Sequence, residues 1–523
     1  MNFKKLCPPV HADSETASDA ASPAPRGWDR FFPQSTLGRM FNLVLLGALG
    51  GLGMGPFYIW PALVIALSGF WIITTSFADD HRWKSFLCGW LFGMGFFTYS
   101  LYWIGNALLI NGNPYKWAYP FALVGLPIFL SLYTGLAAYL SRRICKGRGA
   151  VSFCIFIALL MVAEYARGHL FSGFPWNLFG MSWTAILPML QILSIGGIYF
   201  LSFLTVFMFA MPGFMIKGHA PPLVRILGGV AALAIGIGLY IFGTERLAHH
   251  PTELRQDTVV QLIQPNIAQS MKWDPEQKWE NYRALLNVIR NDQTLTATGP
   301  HAARLLILPE TSVTSNELSE PAALEALKGA MLHYREPSYI LAGALLGDRE
   351  GYHNSLVVMD HDLRLKYKFD KFHLVPFGEY MPMQKYIPFG PLNNFSGFTA
   401  GPGPQTAMVD DIPPFSPLVC YEVIFPGEVT STNPKRAEWI VNVSNDAWYG
   451  ISPGPFQHMS HAIYRAIETG LPVVRGTNTG LSVVVDPYGR VISSLPLMVA
   501  GSVDSFLPRP AAKPTLYSRF EEF

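Results

Sequence analysis

The charged residues of this 523-residue chain are distributed very unevenly along its length. Residues 40–244 hold 13 of the 74 Asp, Glu, Lys and Arg residues, whereas residues 245–523 hold 52. Only 14% of the chain is charged, against about 25% in a typical soluble domain. This low charged fraction excludes a disordered chain. The uneven distribution of the charges predicts a membrane region followed by a globular domain. The net charge of +2 argues against nucleic acid as a ligand.

Seven apolar stretches in the first half are candidates for membrane-spanning helices, because about 20 apolar residues cross the hydrocarbon core. They cover residues 39–53, 58–77, 86–108, 117–140, 150–163, 190–216 and 223–243. The aromatic and glycine-rich segment near residues 165–189 is too broken to span, so we expect an interfacial or re-entrant connector. Residues 1–38 are polar, and we expect them to form a disordered tail.

The basic residues of the short loops predict the orientation of these helices. Lys and Arg are concentrated in the N-terminal tail and in alternate loops, around Arg82, Arg142–Arg148 and Lys217, whereas the intervening loops carry only Lys116 and Arg167. This alternation places the tail in the cytoplasm. An odd number of crossings then delivers everything after residue 244 to the opposite side of the membrane.

The second half of the chain alternates short β-branched runs with helical stretches, which is typical of a layered α/β domain. Strands are predicted at residues 258–264, 304–308, 339–343, 355–359, 417–419, 439–443, 472–474 and 482–486. Helices are predicted at residues 275–292, 320–334 and 456–469. Ligands of such domains bind at the carboxyl ends of the strands.

Cys420 is the one cysteine of the predicted exported half. It has no partner there for an internal disulfide, so it is either a small buried side chain or a reactive thiol. Its position directly after a short apolar strand favours a nucleophile. A thiol with an ordinary pKa of about 8.5 needs a cation or a base nearby to attack at neutral pH.

Glu310, Lys371 and Glu379 are candidates for that cation and base. Glu310 ends a buried strand, and the other two lie in one mostly apolar loop. Each alone is typical of a surface charge, but three such groups at strand ends of one domain suggest a catalytic site.

Several motifs now carry a resemblance to a known family. They are residues 173–176 (Gly-Phe-Pro-Trp), 272–274 (Lys-Trp-Asp), 308–310 (Leu-Pro-Glu), Lys371 with 376–379 (Pro-Phe-Gly-Glu), 420–422 (Cys-Tyr-Glu), 442–448 (Asn-Val-Ser-Asn-Asp-Ala-Trp) and 475–480 (Arg-Gly-Thr-Asn-Thr-Gly). From the first membrane segment to about Pro510, the chain resembles the apolipoprotein N-acyltransferases. These are inner-membrane enzymes of Gram-negative bacteria, and their exported domain belongs to the nitrilase (carbon-nitrogen hydrolase) superfamily.

The resemblance implies a multi-pass α-helical membrane bundle (residues 39–244) and an exported nitrilase-like αββα sandwich (residues 255–510). It implies a catalytic triad of Glu310, Lys371 and Cys420. The residues that line the site by this resemblance are Trp273, Glu379, Tyr421 and Glu422. Trp448 is a further candidate for the rim of a lipid-facing pocket, although an aromatic side chain in such a loop is as often simple packing.

The implied reaction moves an acyl chain from a membrane phospholipid to Cys420 as a thioester. The N-terminal amine of the diacylglyceryl-cysteine of an apolipoprotein then accepts the chain, which is the last step of lipoprotein maturation. Glu310 would move the proton, and Lys371 with the backbone N–H of Tyr421 would hold the oxyanion. Glu379 and Glu422 would fix Lys371, or either is a plain buried acid paired with it. We expect no cofactor, no metal, a monomer, and a catalytic domain on the periplasmic side.

Other functions fit the sequence less well. A membrane-tethered amidase that transfers its acyl group to water is the main alternative. A lipid transporter or receptor is disfavoured because almost no ionisable residue lies within the apolar segments. Ser452 stands in a G-x-S-x-G pattern, but Pro453 has no N–H for an oxyanion. His458 and His461 have H-x-x-H spacing without a third ligand, so we interpret them as ordinary helix-face histidines.

The C-terminal part departs from the family pattern, in which the chain usually returns through a final membrane helix. No apolar run of spanning length follows Val443. We therefore expect residues 511–523 to be a tail without an eighth membrane helix.

Overall fold

The computed structural model describes residues 35–77, 82–110, 113–272, 274, 276–290, 294–349, 351–382 and 397–521. The chain folds into two compact units. The first contains residues up to 102, 121–185 and 199–240, and the second contains residues 103–120, 186–198 and 241 onward. The predicted disordered tail lies almost entirely outside the described residues.

An α-helix overlaps each of the seven predicted apolar stretches. The helices of this part are α1 (Thr36–Gly51), α2 (Trp60–Thr74), α3 (Arg82–Leu101), α4 (Tyr119–Ile144), α5 (Ala150–His169), the short α6 (Leu187–Leu190), α7 (Leu193–Lys217) and α8 (Pro222–His249). Five helical segments, which contain α3, α4, α5, α7 and α8, are long and apolar enough to cross a membrane. The helices α1 and α2 are apolar but shorter, so their crossing remains a prediction.

The aromatic segment after α5 is held by a buried ion pair within the first unit. Glu164 and Arg167 approach to 3.5 Å on consecutive turns of α5. Glu164 Oε1 accepts a hydrogen bond from the backbone N–H of Phe179, at 3.2 Å. Arg167 donates to the carbonyl oxygens of Phe174 and Trp176, at 2.7 and 2.8 Å. The two charges thus satisfy backbone groups that would otherwise be unpaired in an apolar setting.

The second unit contains two six-stranded sheets. Its strands are β1 (Leu254–Gln264), β2 (Ala303–Thr314), β3 (Ser338–Asp348), β4 (Gly351–Met359), β5 (Leu365–Asp370), β6 (Ala407–Val409), β7 (Ile412–Val419), β8 (Trp439–Ser444), β9 (Val473–Thr477), β10 (Ser482–Val485), β11 (Val491–Leu495) and β12 (Gly501–Pro508). The first sheet has the order β12-β1-β2-β3-β4-β5, and the second has the order β11-β10-β9-β8-β7-β6.

The helices that follow β1 in the chain pack on the outer faces of the sheets or against one another. They are α9 (Gln269–Lys272), α10 (Lys278–Ile289), α11 (Ser315–Ser319), α12 (Pro321–Met331), α13 (Pro453–Thr469) and α14 (Leu516–Glu521). The inner core joins Leu305 and Ile307 of β2 to Val441 and Val474 of the second sheet. The next residue along, Leu306, instead packs with α10 and α12, and α13 packs against β9 and β10. These four layers confirm the predicted αββα sandwich.

All eight predicted strands are present, and the four that sequence reasoning missed are the edge strands β5, β6, β11 and β12. A central strand such as β2 is buried on both faces and therefore reads as a continuous apolar run. An edge strand is half exposed and carries polar residues. In β5, for example, Lys366 and Lys368 alternate with Tyr367 and Phe369, which hides the strand from a search for apolar runs.

Glu310 lies at a bulge within β2, four residues before the strand ends at Thr314. The pairing of β2 with β3 shifts register between Leu308 and Val313, and Thr311 adopts a positive φ of 49°. On β3, Gly343 lies directly against this bulge: a Cβ atom there would be 2.3 Å from the Cα of Glu310. The absence of a side chain at position 343 therefore permits the close approach of the two strands.

We predict that Gly343→Ala lowers the free energy of unfolding by about 1–3 kcal/mol, because the added methyl group must push rigid backbone apart. Thermal unfolding of the detergent-solubilised protein measures the loss. Gly329→Ala is the matched control, since position 329 is exposed on α12 and a Cβ atom there meets nothing within 4 Å. A Gly343→Ala protein as stable as the control would contradict this account of the bulge.

Candidate active site

Cys420 lies at the carboxyl end of β7, where the chain turns into the single helical turn Cys420–Ile424. Its φ of 54° is in the left-handed region, which is unfavourable for a residue with a side chain. The residue is 7% exposed. A strained, nearly buried residue at a strand-to-helix turn is typical of a nucleophile that the fold holds in one orientation.

Lys371 directly follows β5 and is fully buried beside two carboxylates. Its Nζ lies 2.9 and 2.8 Å from the two carboxylate oxygens of Glu379 and 3.9 Å from Oε1 of Glu310. Burial alone disfavours the ammonium, but the negative charges of Glu379 and Glu310 outweigh it and raise the pKa of Lys371. Lys371 is therefore a permanent cation at neutral pH.

Asn354 of β4 connects the two carboxylates, and sequence reasoning did not find it. Its Nδ2 donates to Oε1 of Glu310 at 2.7 Å and to Oε1 of Glu379 at 3.0 Å. Oε2 of Glu310 is buried and, among the described residues, has no hydrogen-bond partner. One oxygen of Glu310 is thus fixed by Asn354, and the other is available to accept a proton.

Burial raises the pKa of the Cys420 thiol, and the negative charge of Glu310 raises it further. The positive charge of Lys371 offsets only part of this increase. The resting side chain is therefore a neutral thiol. The charge of Lys371 therefore does not hold Cys420 as a thiolate at rest. The thiol must lose its proton during the reaction, which requires a base within the cluster.

Glu422 ties together the two chain segments that carry the lysine and the cysteine. Oε1 accepts hydrogen bonds from the backbone N–H groups of Phe372 and His373, at 2.7 and 3.2 Å. Oε2 accepts from the N–H of Val419, at 2.6 Å. Burial raises the pKa of Glu422 to about 8. Its direct contacts are with the backbone beside Lys371 and Cys420, whereas Glu379 contacts the lysine itself.

The remaining predicted site residues differ in how the structure places them. Tyr421 is buried, with its ring 5.9 Å from that of His373 and 5.1 Å from that of Phe425. Trp448 is partly exposed on the short helix Asp446–Tyr449. Trp273 lies outside the described residues. Its neighbour Lys272 donates from Nζ to the backbone oxygen of Glu310, at 2.9 Å.

Behind the cysteine lies a second polar cluster that sequence reasoning gave no role. Arg475 Nη2 is 2.9 Å from both oxygens of Asp446, and His458 Nδ1 is 2.9 Å from Oδ1. His458 Nε2 is 3.3 Å from the backbone oxygen of Cys420. His458 lies on the helix Pro453–Thr469, in agreement with its interpretation as a helix-face histidine, and it is fully buried beside the backbone of Cys420. The only sequence signals were the two resemblance motifs that contain Asp446 and Arg475.

The residues of the rejected alternatives have other contacts in the structure. Ser452 Oγ accepts a hydrogen bond from the N–H of Gly454 and so caps the start of α13. Among the residues that the structure describes, no group of three or more His, Cys, Asp or Glu side chains is arranged to hold a metal ion.

Comparison with known proteins adds two family matches. Residues 46–211 match the apolipoprotein N-acyltransferase N-terminal domain, and residues 259–501 match the carbon-nitrogen hydrolase family. The apolipoprotein N-acyltransferase of Rhodopseudomonas palustris is 38% identical over 500 residues, which cover 92% of this chain and 91% of that protein. That of Bradyrhizobium diazoefficiens is 38% identical with the same coverage. That of Rickettsia bellii is 33% identical, with 92% of this chain and 93% of that protein covered.

We predict that Glu379→Gln lowers the free energy of unfolding by about 3–5 kcal/mol near neutral pH, because a buried ammonium loses its main partner. In this variant burial would lower the pKa of Lys371 below its ordinary value, so the unfolded chain binds more protons than the folded one. The free energy of unfolding of the variant should then rise from about pH 7 to about pH 10, and its difference from the wild type should shrink over the same range. The wild type should show no such rise from Lys371, because its raised pKa keeps the lysine protonated throughout.

Unfolding of the detergent-solubilised variants across this pH range measures the effect. Glu428→Gln is the matched control, because Glu428 is 43% exposed and pairs only at the surface with His373. Its loss should stay below about 1 kcal/mol. A deficit of Glu379→Gln that does not change with pH would contradict the proposed state of Lys371.

Proposed function

The chain belongs to the apolipoprotein N-acyltransferase family, whose reaction is the N-acylation of lipoproteins, and we propose that Cys420, Glu310 and Lys371 carry this reaction here. The observation that supports the assignment is the buried cluster in which Lys371 lies between Glu310 and Glu379. The charges of Lys371 and Glu310 both act on the Cys420 thiol. In this assignment a membrane phospholipid is the acyl donor, and the amine of a diacylated apolipoprotein is the acceptor.

The first half-reaction forms the thioester. Glu310 accepts the proton of the Cys420 thiol through its unpaired oxygen while the sulfur attacks the ester carbonyl of the phospholipid. The ammonium of Lys371 and the backbone N–H of Tyr421 stabilise the negative charge on the carbonyl oxygen. The ester C–O bond then breaks, and Glu310 returns the proton to the departing lysophospholipid oxygen.

The second half-reaction forms the amide. The uncharged α-amine of the diacylglyceryl-cysteine attacks the thioester carbonyl, and the same donors hold the oxyanion. The C–S bond breaks, Glu310 takes a proton from the attacking nitrogen, and the proton passes to the sulfur to restore the thiol. The exchange of ester for thioester for amide consumes no nucleotide. Exclusion of water from the nearly buried Cys420 protects the intermediate from hydrolysis.

The protein is a multi-pass membrane protein, and we propose that its membrane is the bacterial inner membrane with the catalytic unit on the periplasmic side. The alternation of Lys and Arg between successive loops supports this orientation. The catalytic unit lies on the same side whether α1 and α2 both cross or neither crosses, because seven and five crossings are both odd.

We predict that Cys420→Ala abolishes both the acyl adduct on the purified protein and the N-acylation of a diacylated lipopeptide, since no thioester can form without the sulfur. Mass spectrometry of the Cys420 peptide and of the lipopeptide detects the two products after incubation with phospholipid. Cys154→Ala is the matched control, because Cys154 is a free cysteine on the membrane helix α5, and it should retain both.

Either product persisting in Cys420→Ala would overturn the assignment of the nucleophile. Release of free fatty acid by the wild-type protein, with no acylated lipopeptide, would instead support the amidase-type alternative in which water is the acceptor.

The orientation has its own test. In a background with Cys7, Cys88, Cys145, Cys154 and Cys420 replaced by Ser, we predict that a membrane-impermeant maleimide labels Leu332→Cys in intact spheroplasts, because Leu332 is 77% exposed in the catalytic unit. Lys146→Cys, in a loop that the basic-residue pattern places in the cytoplasm, should be labelled only after permeabilisation. The reverse pattern would contradict the proposed orientation.

A further inference from the structure

Ser444 ends β8 and lies beside the sulfur of Cys420. It is fully buried, and its Oγ is 3.4 Å from Cys420 Sγ and 2.9 Å from Oδ1 of Asp446. The hydroxyl has one proton and two acceptors within reach, so it can donate to only one of them at a time. The state of Asp446 decides which acceptor it uses.

Asp446 is an ionised carboxylate in this setting. Burial disfavours its charge, but Arg475 and His458 outweigh burial and lower the pKa of Asp446 below its ordinary value. A hydrogen bond to an ionised acceptor is stronger than one to a neutral thiol. In the resting protein Ser444 therefore donates to Asp446 and presents its oxygen lone pairs to the sulfur.

The arrangement orients the thiol. With Ser444 committed as a donor to Asp446, the S–H of Cys420 can donate to Ser444 Oγ. When the sulfur loses its proton, the same hydroxyl can rotate and donate to the thiolate. Hydroxyl rotation moves only a hydrogen atom, so no packing has to change.

The backbone of the strained cysteine belongs to the same network. Asn442 Nδ2 and His458 Nε2 each lie 3.3 Å from the carbonyl oxygen of Cys420. Arg475 in turn donates to Oδ1 of Asn442 and pairs with Asp446. One buried guanidinium therefore supports both the backbone of the nucleophile and the carboxylate that orients Ser444.

We propose that Ser444 is a catalytic residue that orients the Cys420 thiol and then stabilises its thiolate, and that Asp446 is a positioning residue acting through Ser444. The proposal rests on Cys420 being the acyl carrier. Glu310, Lys371 and Lys272 also act on the sulfur by their charges, and the negative charge of Asp446 itself raises the pKa of the thiol. These groups supply charge and accept the proton, whereas Ser444 lies in direct contact with the sulfur.

The experiment compares Ser444→Ala, Ser444→Thr and Ser416→Ala in the full-length protein. Ser416 is the matched control: its hydroxyl is equally buried one strand away, on β7, and donates to the carbonyl oxygen of Val429. Two quantities are measured by mass spectrometry of the Cys420 peptide. One is the rate of thioester formation from phospholipid, and the other is the rate of alkylation by iodoacetamide as a function of pH.

Ser444→Ala should slow thioester formation about 10- to 100-fold, the effect of losing one hydrogen bond to a charged group. Its alkylation curve should move to higher pH, because loss of a donor to the thiolate raises the pKa of the thiol. Ser444→Thr keeps the hydroxyl and should restore the position of the curve, and Ser416→Ala should match the wild type in both measurements. A purely structural role would lower stability without moving the curve.

Failure of the role proposed for Ser444 and failure of Cys420 as the acyl carrier give different results. If Cys420 is acylated in Ser444→Ala at the wild-type rate and with the wild-type alkylation curve, the role of Ser444 is overturned and the proposed function stands. If the wild-type protein forms no acyl adduct on Cys420 while it still acylates the lipopeptide, the proposed nucleophile itself is wrong.

Discussion

The buried ion pair between Lys371 and Glu379 is the interaction on which the rest of the site depends. An ammonium removed from water is stable only with a close and well-oriented counter-charge, and Glu379 supplies two oxygens within 2.9 Å. Asn354 donates hydrogen bonds to both Glu379 and Glu310 and so fixes the two carboxylates relative to each other. The fixed cation can then meet the negative charge of an acyl-transfer intermediate without any rearrangement at the moment of reaction.

Polar side chains from both sheets of the sandwich act on the sulfur of Cys420. The first sheet contributes Glu310, Asn354 and the lysine that follows β5, which together supply the base and the cation. The second sheet contributes Ser444 and Arg475, which act on the other side of Cys420. The αββα fold brings the bulge of β2 and the carboxyl ends of β7 and β8 to one place. Its inner core is apolar, so water is excluded from the same region.

The sequence was sufficient to predict the central strands and to mark Glu310, Lys371 and Cys420 as candidate site residues, whereas the αββα layers and the triad roles came from the family resemblance, and the triad roles remain a proposal. Strands buried on both faces leave continuous apolar runs, and Glu310 and Cys420 interrupt the chain at the ends of such runs. The half-exposed edge strands leave no such pattern and were missed. Asn354, Ser444 and Asp446 were missed because a polar residue within or after a strand carries no local sign of its partner. Cys420 is 24 residues from Ser444, and Glu310 is 44 residues from Asn354. The contacts of Asp446 with Ser444 and His458, 2 and 12 residues away, are recognisable only once β8 and α13 are packed.

The role proposed for Cys420, to carry an acyl chain from a phospholipid to a lipopeptide amine, is tested most directly by a chase. The protein is loaded from a phospholipid with a deuterated acyl chain, freed of donor, and then given a diacylated lipopeptide. We expect the label to leave the Cys420 peptide and to appear as an amide on the lipopeptide amine at the same rate. Label that stays on Cys420 while unlabelled amide forms, or that leaves only as free fatty acid, would contradict this role.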